Sequence, residues 1–107
     1  MGTRPTQSRI TFSIPPDHPS IPGHFPGDPV VPGVVILDAV RRAAEPLLGP
    51  GLRITRLPQV KFVRPLLPGQ EAALDLELRD TLLQFVVSRG DEIIARGTLE
   101  FGAVTAS

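Results

Sequence analysis

The chain has no cysteine, only two histidines and no excess of charge of either sign. The missing thiols exclude disulfides, thiolate zinc sites and cysteine nucleophiles. His18 and His24 are too few for a histidine-based metal cluster, so no metal and no other cofactor is expected. Eleven basic and eleven acidic side chains cancel to a formal net charge of zero. Bulk electrostatics therefore offers no route to nucleic acid. Long apolar runs are also absent. The longest, Val34 to Leu37, is far too short to span a membrane. The opening MGTRPTQSR has no apolar segment of the kind a signal peptide needs. A cytoplasmic location, away from any membrane, is the default expectation.

What is present suits a globular protein: 41% hydrophobic and 21% charged residues in a chain of 107. A single domain over residues 1–107 is expected, with 1–8 and 103–107 frayed. A core of this size is small, and self-association would help to stabilise it.

Along the chain, Arg9 to Ile14 alternates Ile10, Phe12 and Ile14 with polar neighbours, which predicts a half-buried strand. Pro15 and Pro16 stop it. Seven prolines then lie between Pro15 and Pro32. Each fixes φ and disfavours helix in the residue before it. The segment reads as an irregular, stiff loop anchored by Ile21, Phe25, Val30 and Val31. A helix follows from Pro32–Gly33, because proline is tolerated in a first turn. It is expected to end by Glu45, ahead of Pro46. Its first two turns are apolar on nearly every side, which predicts a helix surrounded by other elements.

The second half reads as strands. Leu52 to Val63 holds alternating pieces. In EAALDLELRD, Ala72, Leu74, Leu76 and Leu78 alternate with Ala73, Asp75, Glu77 and Arg79, the clearest strand signal in the chain. LLQFVVSR, a turn at Gly90-Asp91 and EIIARGTLEFGAV complete the set. Short turns imply antiparallel neighbours. The fold class is α+β, with a curved antiparallel sheet wrapped around one central helix.

Three residues carry candidate chemistry. Asp38 is a carboxylate amid Val34, Val35, Ile36, Leu37, Ala39 and Val40. Burying it without partners would cost several kcal/mol. It either serves a site or pairs with Arg41 or Arg42, one turn on. Gly33 stands at the helix N-terminus, where free N–H groups and the helix dipole favour negative charge. Glycine there lets a ligand approach the backbone closely. A carbonyl oxygen that becomes an oxyanion would fit. His24 lies between Gly23 and Phe25, and its ordinary pKa near 6.5 allows a neutral base.

Together these residues form PGHFPGDPVVPGVVILDAV, which resembles the active-site segment of the 3-hydroxyacyl-acyl-carrier-protein dehydratases. That family carries G-H-F-P-x-x-P-x-x-P-G, four residues, then Glu or Asp. Gly23, His24, Phe25, Pro26, Pro29, Pro32, Gly33 and Asp38 match in register. A second block, VKFVRPLLPGQE, resembles the family's K-F-x-R-P-x-x-P-G-D. The resemblance covers residues 9 to 101.

It implies the hot-dog fold and a homodimer, with larger assemblies of dimers left open. Each active site would take its histidine from one subunit and its acid from the other. The implied reaction converts 3-hydroxyacyl thioesters, linked to acyl carrier protein or coenzyme A, to trans-2-enoyl thioesters, as in fatty-acid or polyketide-like synthesis. His24 would remove the C2 proton, Gly33 would bind the thioester carbonyl, and Asp38, directly or through a water, would help protonate the leaving hydroxyl. Phe25, Val30, Val34 and Leu37 would line or support the acyl tunnel. That role of Asp38 calls for a raised pKa.

One departure stands out. Where the family has a glutamine four residues after the acid, this chain has Arg42, which would lower the pKa of Asp38 if it turned toward it. Aspartate at 38 also resembles the branch that isomerises its product. Three rival readings are thioester hydrolysis on the same fold, a non-catalytic acyl-thioester-binding protein, and a plain structural dimer. An acidic carrier protein would need a basic docking face, for which Arg53, Arg56, Lys61 and Arg64 are candidates.

Overall fold

A computed structural model describes residues 6–15, 30–48 and 51–103. Five strands and one helix follow in the order β1 (Thr6–Phe12), α1 (Gly33–Leu48), β2 (Leu52–Phe62), β3 (Ala72–Arg79), β4 (Leu82–Arg89) and β5 (Glu92–Ala103). The strands form a single antiparallel sheet in the order β1-β3-β4-β5-β2. This is the expected hot-dog arrangement, with the helix packed on one face of the sheet. Among the described residues no helix is long and apolar enough to cross a membrane.

The alternation read from β3 is realised. Ala72, Leu74 and Leu76 are buried, while Ala73, Asp75 and Glu77 between them are less so. Their partners across the ladder are apolar too: Leu74 lies opposite Val87, and Leu76 opposite Phe85. On the far side Phe85 faces Gly97 and Val87 faces Ala95. Small residues opposite large ones let the inner face close under the helix. A side chain at Gly97 would run into the Gln59 carbonyl of β2 and the ring of Phe85. Both hairpins are tight. Arg79 pairs with Leu82 and Arg89 with Glu92, leaving two residues in each turn. The first of each pair, Asp80 (φ 56°) and Gly90 (φ 58°), is left-handed, as two-residue hairpins favour.

β2 is an edge strand, and it is irregular. Its pairing with β5 shifts register between Ile54 and Arg56 and again between Arg56 and Gln59. Pro58 falls in the second irregular stretch, where a missing N–H does no harm.

Four expectations need correction. β1 runs from Thr6 to Phe12 rather than from Arg9 to Ile14, because its pairing with Leu78 to Ala72 extends to Thr6. β5 reaches Ala103, at the start of the stretch expected to fray. The helix continues through Pro46 to Leu48. Proline removes one N–H donor near the helix end, where the loss is small and the packing of Ala43, Leu47 and Leu48 on the core offsets it. Finally, the described residues cover the helix on one side rather than on all sides. Val35, Ile36, Val40 and Ala44 are buried against the sheet, whereas Val34 is 72% exposed. The sheet packs against that buried side of α1.

Candidate functional site

The site starts at the N-terminus of α1. The Pro32 carbonyl accepts from Val35 N–H at 3.0 Å and Ile36 N–H at 3.3 Å, which makes Gly33 the first helical residue. The Gly33 and Val34 amides therefore precede the first intrahelical donor. No acidic side chain occupies the first turn. The positive end of the dipole would favour a negatively charged group there.

An open, mainly apolar groove of about 560 Å³ lies against this terminus. Val30, Val31, Gly33, Val34, Ile36 and Leu37 form one wall. Phe62, Val63, Arg64, Pro65 and Leu66 form the other. The walls are tied together: Val31 N–H donates to the Leu66 carbonyl at 2.8 Å, and Leu66 is fully buried. Val63 and Arg64 are fixed in turn, both donating to the Ile94 carbonyl of β5 at 2.8 and 3.1 Å. The Phe62 ring closes over Gly33. A Cβ at position 33 would stand 2.7 Å from its Cζ, so any other residue there would displace the ring.

Asp38 lies four residues after Val34 on the same helical stripe, about 6 Å further along the axis. It does not line the groove. Arg41 donates to Oδ1 through Nη2 at 2.9 Å and Nε at 3.3 Å. Arg42 Nε stands 2.9 Å from Oδ2. Arg41 is braced from behind by Glu45, at 2.8 Å. Both arginines offered by the sequence are used, not one. The hydrogen bond from Arg41, with the charge of Arg42, holds the Asp38 carboxyl below its ordinary 3.8. This shift runs opposite to the raised pKa that a proton-donating role would need. Asp38 is on a half-exposed helix face, and desolvation there is too weak to oppose two guanidinium groups.

Of the residues expected from the sequence, Val30, Gly33, Val34 and Leu37 meet in the groove. Asp38 and Arg42 pair with each other beside it. His24 and Phe25 lie outside the described residues. Sequence reasoning missed the second wall. Phe62 was read only as part of a strand, although the block VKFVRPLLPGQE, which supplies the whole wall, marked it. A second hollow, on the β1–β3–β4 surface at Gln7, Arg9, Asp75 and Glu77, is more polar and holds an exposed ion pair, Arg9–Asp75, at 3.5 Å. No helix terminus is part of its lining.

Comparison with known proteins gives a consistent result. Residues 2–98 match the ApeI-like family, described as ApeI dehydratase. The chain is 32% identical to the 3-hydroxyacyl-acyl-carrier-protein dehydratase FabZ of Symbiobacterium thermophilum over 103 residues, covering 85% of this chain and 72% of that protein. Among solved structures it resembles the dehydratase heterocomplex ApeI:P from Xenorhabdus doucetiae, with a TM-score of 0.78, 31% identity, and coverage of 89% of this chain and 86% of the other. Its likeness to the fluoroacetyl-CoA-specific thioesterase FlK (TM-score 0.70, 21% identity, 94% of each chain) extends to the fold alone.

Proposed function

Because the chain belongs to the ApeI-like family of dehydratases, we infer that it removes water from a 3-hydroxyacyl thioester to give the 2-enoyl thioester. It is a hydro-lyase, and the observation that carries this is the family match over residues 2–98, which spans both motif blocks and both walls of the groove.

The acyl group is carried on a phosphopantetheine arm, preferably of an acyl carrier protein, as the name of the FabZ relative suggests. Its thioester oxygen meets the Gly33 amide, where charge developing on the oxygen gains from the helix terminus. Its apolar chain lies between Val34 and Leu37 on one side and Phe62 and Val63 on the other. His24 takes the C2 proton, and Asp38 meets the C3 hydroxyl.

A second copy of the chain completes the site. Val34, Phe62 and Val63 expose apolar surface around the groove, and Leu57 exposes more on the free edge of β2. An uncovered edge strand invites pairing. The ApeI:P heterocomplex raises a different partner subunit as the competing outcome. Sedimentation of the purified chain separates them: self-association supports the homodimer, and a monomer points to a second protein.

Incubation with 3-hydroxyacyl thioesters of several lengths is expected to produce the ultraviolet absorbance of a conjugated enoyl thioester. Release of free thiol instead would indicate hydrolysis, and neither product would indicate a binding protein. His24→Ala is expected to lower turnover by roughly 100- to 10,000-fold, the usual contribution of a positioned proton-transfer group. Near-normal turnover in that variant would refute the role of His24.

A further inference from the structure

We propose that the outer face of the sheet, the side away from α1, docks on the same face of a second copy of the chain, around a two-fold axis that runs along β4. This surface lies across the sheet from the groove and does not depend on the dehydratase reading.

The alternation that buries Leu83, Phe85 and Val87 turns Leu82, Gln84 and Val86 outward. β4 is the middle strand of the sheet, so these residues form the midline of the outer face. The midline carries no charge, and Leu82 is 42% exposed on it. Charges stand on either side in matched rows. Val86 pairs with Asp75 of β3 and with Arg96 of β5. Leu82 pairs with Arg79 of β3 and with Glu100 of β5. Each row thus has an acid on one side of β4 and a base at the same height on the other. Arg96 and Glu100 join no ion pair among the described residues. Hollows of about 400, 340 and 350 Å³ adjoin Gln84, so the face is indented rather than filled by its own side chains.

A two-fold contact needs a surface that complements itself. Half a turn about β4 exchanges the two sides of this face. It sets Asp75 against the partner subunit's Arg96 and Arg79 against the partner subunit's Glu100, each contact occurring twice by symmetry. Glu77 meets the partner subunit's Thr98, because Gln84 pairs with both positions. On the axis, Leu82 and Val86 meet their own counterparts. The Gln84 amide, at once donor and acceptor, can bond its twin. An axis across the strands fits worse. It would oppose Glu77 to the partner's Glu77 and, on β2, Lys61 to the partner's Arg56. With the axis along β4, like charges meet only at Arg9 and Lys61, on the edge strands, which the twist of aligned sheets carries apart. Arg9 is also paired with Asp75 at 3.5 Å. A strongly acidic or strongly basic protein would be repelled by half of this face, so a second copy is the occupant that fits.

Charge reversal tests the axis itself. Arg96→Asp and Asp75→Arg change side chains that are exposed or half-exposed, and circular dichroism checks that each variant folds. Alone, either variant places like charges in both copies of the contact. Sedimentation is expected to show half the wild-type mass: two chains rather than four where the groove side also pairs. Mixed in equal amounts, the two variants complement each other. The new arginine of one meets the new aspartate of the other, and the remaining contact is native, so the mixture should regain the wild-type mass. Arg79→Glu and Glu100→Arg repeat the test in the second row and serve if a variant of the first fails to fold. Folded single variants that keep the wild-type mass, or a mixture that stays at half of it, would overturn the proposal. A wild type of two chains, halved in each variant and restored on mixing, would uphold the outer face and remove the groove-side homodimer instead.

Discussion

Val34 and Val35 are adjacent valines in one helix, yet Val34 is 72% exposed and Val35 is 5% exposed. The difference is angular. Successive helical residues are about 100° apart, and the sheet covers only one side of α1. The covered side, Val35, Ile36, Val40 and Ala44, is uniformly apolar. The open side begins apolar, with Val34 and Leu37 at the groove. It turns charged within one turn, at Asp38, Arg41, Arg42 and Glu45. One side holds the domain together and the other is not covered by the described residues. Hydrophobicity alone does not say which is which.

The largest effect separating the two faces should come from Val40→Asp. Val40 is fully buried. A carboxylate there would lack a partner and should cost about 3 kcal/mol or more. Urea unfolding followed by circular dichroism should show loss of the cooperative transition or a large drop in its midpoint. A near-normal midpoint would mean that the covered face is not core. Val34→Ser is the matching change on the open face. It should alter the stability of the dissociated chain by no more than about 0.5 kcal/mol. It should weaken self-association in sedimentation. A loss comparable with that of Val40→Asp at every concentration would erase the distinction between the faces.

The smallest effect concerns acid. The folded pKa of Asp38 is depressed below 3.8. Its contribution to stability is therefore present above the unfolded value and lost as pH falls through the folded one. Unfolding midpoints compared at neutral pH and below 3.8 should decline less in Asp38→Asn than in the wild type. The difference should shrink with added salt, since the pairs are half-exposed. Equal acid sensitivity in both proteins would show that the arginines contribute nothing to folding.

Much of the fold was legible because it rests on local signals. The period-two run in Ala72–Leu78, the turn at Gly90-Asp91 and the start of α1 after Pro32 each follow from a few neighbouring residues. Pro46 misled because a proline rule for helix interiors was applied in the last turn. The start of β1 was misplaced because its extension to Thr6 depends on pairing with Leu78, some seventy residues away. Asp38 was recognised as an oddity, but its ionisation could not be read. The spacing offered Arg41 or Arg42, and only the side-chain geometry shows that both converge.

The sequence by itself determined the strand pattern, the helix, the family motifs and the placing of Gly33, Val34, Leu37 and Asp38 along one stretch of helix. These follow from periodicity and short-range sterics. The tertiary structure decided what faces that stretch. Phe62 over Gly33 and Leu66 bonded to Val31 are contacts between segments about thirty residues apart. No local pattern encodes them, because they depend on how the sheet and the segments leading from it pack against the helix.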